Sequence, residues 1–177
     1  MKTMKTAGRT ITQRLYGLRQ LPQRLSRARY FRGHGVNSPF VYDIVRKVFM
    51  RSDFISGDTF YTERVYGSIL EWGVSRKRAV QLTNLCTHCD YRNISVGAAS
   101  AADFIVVPAA VAPAEFAEYV RIARECRGTL AIMAPYQNRE REQACREIIG
   151  AHTGTTVDNR GYLLVFNNHL PKQHFQL

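Results

Sequence analysis

The stretch from residue 103 to residue 134 restricts the possible folds more than any other part of the chain. "DFIVVP" (103–108) is a short β-branched and aromatic run, and Pro113 can open a helix that carries Phe116, Val120 and Ala123 on one face. Gly128 stops that helix, and "TLAIMA" (129–134) is a second apolar run. A strand, helix, strand succession of this length makes a right-handed crossover unit in a parallel sheet.

The same alternation extends on both sides. "RAVQLTNL" (78–85) and "NISV" (93–96) read as earlier strands. Asn138 is placed to cap a further helix with Glu140 and Glu142 in its first turn, Ala144, Cys145, Ile148 and Ile149 facing inward, and Gly150 as its end. "TTV" (155–157) and "YLLVF" (162–166) are strands joined through Asp158-Asn159-Arg160-Gly161, a hairpin turn. The expected architecture is a parallel α/β sheet finished by an antiparallel hairpin.

Before residue 77 the pattern is helical. Residues 10–31 read as two short helices broken near Leu21-Pro22. After the loop at 32–37, Ser38 is an N-cap and Pro39 a first helical residue, followed by a stripe of Phe40, Val41, Ile44, Val45, Val48 and Phe49. Asp58 or Thr59 starts another helix with Tyr61, Val65, Ile69 and Trp72 at helical spacing and Gly73 as its stop. The single-face spacing of these aromatics makes them core residues rather than a base-stacking platform. The chain therefore divides into a basic helical arm (1–31), an N-terminal helical segment (32–76) and an α/β domain (77–177).

The charge is concentrated at one end. Residues 1–51 carry twelve Lys/Arg against one acid, Asp43, whereas residues 52–177 carry thirteen of each sign, so the formal net charge of +11 sits in the first part. Arg14, Arg19, Arg24, Arg27, Arg29 and Arg32 mark the arm as a site for an anionic partner, whether RNA, DNA or lipid headgroups. A solvated tail accounts for the charge equally well. An arginine-rich start also suits an organellar transit peptide, but no cleavage region separates it from ordered-looking sequence. There is no run of about 18 apolar residues and no apolar centre of a secretory signal, and the four cysteines fit reduced thiols, so a cytoplasmic protein is expected.

Two stretches carry a family resemblance. "RGHGVNSPFVYDIVRKVF" (32–49) resembles the N-terminal signature of a group of bacterial class I S-adenosylmethionine-dependent methyltransferases, in which a glycine-histidine loop and a Ser-Pro-Phe step precede a helix. "GYLLVFNNHLPKQHFQL" (161–177) is similar to the end of the same group, and the order of elements between them also matches. The resemblance implies a Rossmann-like methyltransferase sheet whose last two strands are an antiparallel pair, with S-adenosylmethionine as cofactor where activity is retained. It also draws attention to His34, Asn37 and Ser38 in the opening loop. The group usually has histidine where this chain has Asn37, and His34 equally suits a structural role that fixes the arm.

The departures lie where the cofactor should bind. Aligned on "VQLTNLCTHC" (80–89), Gln81 stands in place of an acid and Thr83 in place of a glycine, with Asn84 beside them and no Gly-x-Gly following. A side chain at Thr83 would obstruct the close backbone approach that such glycines allow. Only about twenty residues separate this stretch from "DFIVVP", whereas two strand-helix units need about 30 each. The later strand ends, "VVPAA" and "IMAPY", carry no acid. These losses imply a shortened, reduced Rossmann-like member of the group, a pseudoenzyme without standard S-adenosylmethionine binding that acts in binding or assembly with an anionic or protein partner. Two alternatives remain open: an active methyltransferase with an atypical site around residues 81–98, and a nucleic-acid or anionic-surface module acting through the arm.

No other catalytic class is supported. Cys86-Thr-His-Cys89 could be a redox pair, given a lowered thiol pKa, or half of a zinc site, but Cys126 and Cys145 fall on apolar helix faces and ordinary loop or core thiols are the simpler reading. His34, His88, His152, His169 and His174 are dispersed, and there is no phosphate loop and no Gly-x-Ser-x-Gly elbow.

Overall fold

The computed structural model describes Tyr16, Pro22 and residues 36–177. Helix α1, Pro39–Ile44, begins as local chemistry dictates: Ser38 Oγ accepts from the Val41 N–H at 3.4 Å and Pro39 fills the first turn. It runs on into a wider π-helical turn, Val45–Phe49, which keeps Val45 and Val48 buried beside Val41 and Ile44. Helix α2, Thr59–Glu71, is capped by Asp58 Oδ1, which accepts from the Tyr61 N–H at 3.2 Å, and buries Val65 and Ile69. Gly73, at φ +74°, ends it.

The expected strand at 78–85 is instead the middle of a helix, α3, Arg76–His88. Its residues from Ala79 to Cys86 are all buried, the polar Gln81, Thr83 and Asn84 included. A helix enclosed on nearly every side loses the polar-apolar contrast that distinguishes a 3.6-residue period from a period of two. The apolar set Ala79, Leu82 and Cys86 does follow helical spacing once the segment is extended to thirteen residues.

Strands β1 (Ile94–Val96), β2 (Phe104–Val107) and β3 (Thr129–Met133) are parallel neighbours. A 3-10 turn, Pro113–Glu115, and helix α4, Phe116–Glu125, cross from β2 to β3. Helix α5, Arg139–Ala151, is capped by Asn138 Oδ1 at 2.8 Å from the Arg141 N–H. The hairpin of β4 (Thr155–Asp158) and β5 (Tyr162–Phe166) completes the expected pattern. β5 inserts between β3 and β4 and is antiparallel to both, and a sixth strand, β6 (Gln173–Gln176), adds parallel to β4. The result is a mixed six-stranded sheet in the order β1-β2-β3-β5-β4-β6.

Alternation along the strands sends side chains to two separate cores. Phe104, Val106, Ala131, Met133, Tyr162 and Leu164 face α1 to α3, while Ile105, Val107, Leu130, Ile132, Leu163 and Val165 face α4 and α5. Each such fully buried large side chain contributes about 1.5–3 kcal/mol. The parallel pair β1–β2 is joined by only seven residues, 97–103, with no helix. A crossover this short is possible because β1 has three residues, so the chain needs to return only about 10 Å. Among the described residues no helix is long and apolar enough to cross a membrane.

Candidate functional site

Ligands of open α/β sheets sit beyond the carboxyl ends of the parallel strands. In this chain the ends of β2 and β3 are closed by its own side chains, and Trp72 covers the turn after β1. After β1 the chain turns at Gly97, φ +76°, and the Trp72 indole lies so close that a Cβ at position 97 would sit 2.1 Å from a ring carbon. Tyr119 donates its hydroxyl to the Gly97 carbonyl at 3.0 Å. Ser95 Oγ donates to the Ala98 carbonyl at 2.7 Å, and Ser100 Oγ to Ser95 Oγ at 2.8 Å, so the turn satisfies itself.

The ends of β2 and β3 are closed by Arg141, which is 1% exposed. Its Nε donates to the Met133 carbonyl at 3.0 Å, Nη1 to Val111 at 2.6 Å and Nη2 to Pro108 at 2.9 Å. The guanidinium lies 4.7 Å from the Phe116 ring centroid. Burial lowers its pKa, because no carboxylate among the described residues offsets the lost hydration.

An open groove of about 630 Å³ lies elsewhere, between the end of the π turn, the start of α3 and the β4–β5 turn. Five cations line it, Arg51, Arg76, Lys77, Arg78 and Arg160, and no Asp or Glu does. Val45, Phe49, Met50, Val80 and Leu177 give it an apolar floor. Three of the cations occupy the first turn of α3, where there is no acid and Ser75 makes no side-chain capping bond. Cations at a helix N-terminus oppose the macrodipole, so this arrangement costs stability unless an anion joins it.

Arg78 is held rigidly. Its Nη1 donates to Gln81 Oε1 at 2.9 Å, Gln81 Nε2 donates to the Phe49 carbonyl at 2.7 Å, and the guanidinium lies 5.4 Å from the Tyr162 ring centroid. The Tyr162 hydroxyl donates to Gln81 Oε1 at 3.3 Å and accepts from Asn159 Nδ2 at 2.8 Å. Burial raises the Tyr162 phenol's pKa, keeping it a neutral donor. A Cβ at position 161 would fall 2.3 Å from Arg78 Nε, so a larger residue there would displace the Arg78 side chain. Arg160 Nε donates to the Leu177 backbone oxygen at 3.0 Å, and Arg51 forms an exposed 3.5 Å pair with Asp53. Arg76 and Lys77 have no acidic partner among the described residues.

Of the residues singled out from the sequence, Gln81 reaches the groove, as the brace for Arg78. Asn84 serves the fold: its Oδ1 accepts from the Ile55 N–H at 3.0 Å and its Nδ2 donates to the Asp53 carbonyl at 2.8 Å. Thr83 is fully buried, and its hydroxyl has no hydrogen-bond partner among the described residues. The three therefore do not form the end of a strand, and the turn to compare with a cofactor loop is the one at Gly97. Ser38 is a helix cap and Asn37 is exposed. His34 and Arg14, Arg19, Arg24, Arg27, Arg29 and Arg32 lie outside the described residues.

The cysteine pair sits at the end of α3 in surroundings opposite to those of a redox thiol. Burial pushes Cys86 upward and Cys89 to about 11. No group of three or more His, Cys, Asp or Glu among the described residues could hold a metal ion. A second cleft, about 510 Å³ between α2 and the edge strand β1, carries both charge signs, with Arg92 already bound to Asp90 at 2.5 Å. Comparison with protein families, curated proteins and solved structures finds no match to this chain.

Proposed function

We propose that this chain is a methyltransferase-like α/β protein that has given up the standard S-adenosylmethionine site and acts by binding an anionic partner in the groove at the start of α3. The observation that carries the reading is the contrast between the two places. Arg141 closes the carboxyl ends of β2 and β3 and Trp72 covers the turn after β1, while the groove at the start of α3 presents five cations and no Asp or Glu.

The methyltransferase-like parentage draws on the signature at 32–49 and on β5, antiparallel and inserted between the parallel strands β3 and β4. The cofactor itself does not suit the residues present. Trp72 covers the backbone of Gly97, and the second strand, β2, ends in Val107-Pro108-Ala109 with no acid to offer to ribose hydroxyls.

Calorimetric titration tests the reading. S-adenosylmethionine and its demethylated product should give no heat, whereas heparin, used as a generic polyanion, should bind with an affinity that falls steeply with salt. An Arg76→Ala/Lys77→Ala variant should bind heparin at least about tenfold more weakly. Micromolar binding of S-adenosylmethionine, or unchanged heparin affinity in the variant, would overturn the proposal.

A further inference from the structure

The groove's shape and lining narrow the class of anion, an inference that rests on the anion-binding reading above. A site that only tracks a nucleic-acid backbone needs an open basic stripe, and stacking aromatics where bases are read. This cavity is instead partly enclosed, and its volume of about 630 Å³ falls within the range of sites for small organic ligands. Its cations stand around an apolar floor of Val45, Phe49, Met50, Val80 and Leu177. Such a lining suits a molecule with a strongly charged head and an apolar or aromatic body.

The cations outnumber the groups that answer them among the described residues: Arg51 pairs with Asp53 and Arg160 donates to the Leu177 backbone oxygen, which leaves Arg76, Lys77 and Arg78 without an acidic partner. No Asp or Glu side chain lines the groove, and residues 1–35 carry nine Lys/Arg and no acid, so the basic arm brings no carboxylate to it. Arg76, Lys77 and Arg78, consecutive in the first turn of α3, together exceed what one carboxylate requires. They match a diphosphate, whose oxygens can take several charge-assisted hydrogen bonds at once.

The cations also divide by mobility. Arg78 is fixed by Gln81 and stacked on Tyr162, and Arg160 is tied to Leu177, which gives two preset donors at either side of the floor. Arg76 and Lys77, without acidic partners among the described residues, are free to close on a ligand.

We infer that the groove binds a small diphosphate ester, with the diphosphate held by Arg76, Lys77, Arg78 and Arg160 and the organic part seated against Phe49, Met50 and Val80. Both a nucleoside and a prenyl diphosphate have this chemistry, and the choice of probes separates them.

Calorimetric titration of the full chain with adenosine 5′-diphosphate, geranyl diphosphate and inorganic pyrophosphate tests the inference. At least one ester should bind with micromolar affinity and at least tenfold more tightly than pyrophosphate, because only the esters contact the floor. Adenosine diphosphate as the tighter ester identifies an aromatic body, and geranyl diphosphate an aliphatic one. Arg76→Ala/Lys77→Ala, at positions where neither side chain has an acidic partner among the described residues, should weaken that ester by about tenfold or more. Arg121→Ala, on the opposite face of the sheet, should leave it unchanged. Esters no tighter than pyrophosphate, or unaffected by the double substitution, would overturn the inference. If heparin binding depends on Arg76 and Lys77 while no ester binds, this inference fails and the broader anion-binding reading stands; if neither binds, both fail.

Discussion

Replacing Arg141 with methionine tests whether this guanidinium closes the ends of β2 and β3. Methionine keeps much of the length and volume but cannot donate, so the Met133, Val111 and Pro108 carbonyls lose their shared partner. Pro108 still accepts from the Val111 N–H at 3.2 Å, so two acceptors are left unsatisfied, and at about 1–3 kcal/mol each they cost about 2–6 kcal/mol. The Val111 bond is only partly buried, so water can replace it, and removing a desolvated cation returns several kcal/mol. The contact with Phe116 adds about 1–2 kcal/mol to the loss. The net expectation is destabilisation by about 3 kcal/mol. With a urea slope of about 2 kcal/mol/M, equilibrium unfolding followed by circular dichroism should show a midpoint lowered by about 1.5 M. Arg141→Lys, which keeps the charge but not the three-way fork, should fall between the two. A methionine variant within 0.5 kcal/mol of the parent would refute the claim that these three hydrogen bonds hold the strand ends together.

Other expectations follow from single contacts. Thr83→Val should stabilise the protein by about 1 kcal/mol, because it removes a buried hydroxyl without a described partner; a rise in Tm of about 2–4 °C in calorimetry would agree, and a fall would place a partner on that hydroxyl. Gly97→Ala should cost about 2 kcal/mol or more through its positive φ and the collision with Trp72, and the loss should shrink in a Trp72→Ala background; additive losses in urea melts would count against the contact. His152 is held by the Phe166 carbonyl at 3.0 Å and its pKa is lowered, chiefly by burial, below the ordinary 6.5. The unfolded chain therefore takes up the proton first, so this stability is complete above about pH 6.5 and lost as pH falls through the folded value. The urea midpoint should drop less between pH 7 and pH 5 in His152→Asn than in the parent, and an identical drop would remove His152 as a cause.

What could be read from the chain alone tracks how local the determining physics is. The helix starts at Ser38, Asp58 and Asn138 were legible because a cap and its N–H partner lie three residues apart. The unit from β2 through α4 to β3 was legible because proline, apolar spacing and glycine punctuate it in order. α3 was not, since its buried Gln81 and Asn84 find their partners in Phe49, Asp53 and Ile55, about thirty residues away. β6 was missed because four residues of alternating exposure at a sheet edge become a strand only when β4 is there to pair with. The groove was hidden for a related reason: Arg51, the run Arg76-Lys77-Arg78 and Arg160 come from three distant segments. The one local hint was a cationic run at a helix start with no acid, which becomes visible only once the segment is known to be helical.

The most direct test of the central claim is a map of where ligands perturb the backbone, obtained from amide chemical shifts of the isotopically labelled protein titrated with inorganic pyrophosphate and, separately, with S-adenosylmethionine. Pyrophosphate should move the amides of Arg76, Lys77, Arg78 and Arg160, and S-adenosylmethionine should leave Gly97 and its neighbours unmoved. Saturable shifts at Gly97, Ala98 and Ala134 with S-adenosylmethionine, and none at the start of α3 with pyrophosphate, would contradict the account.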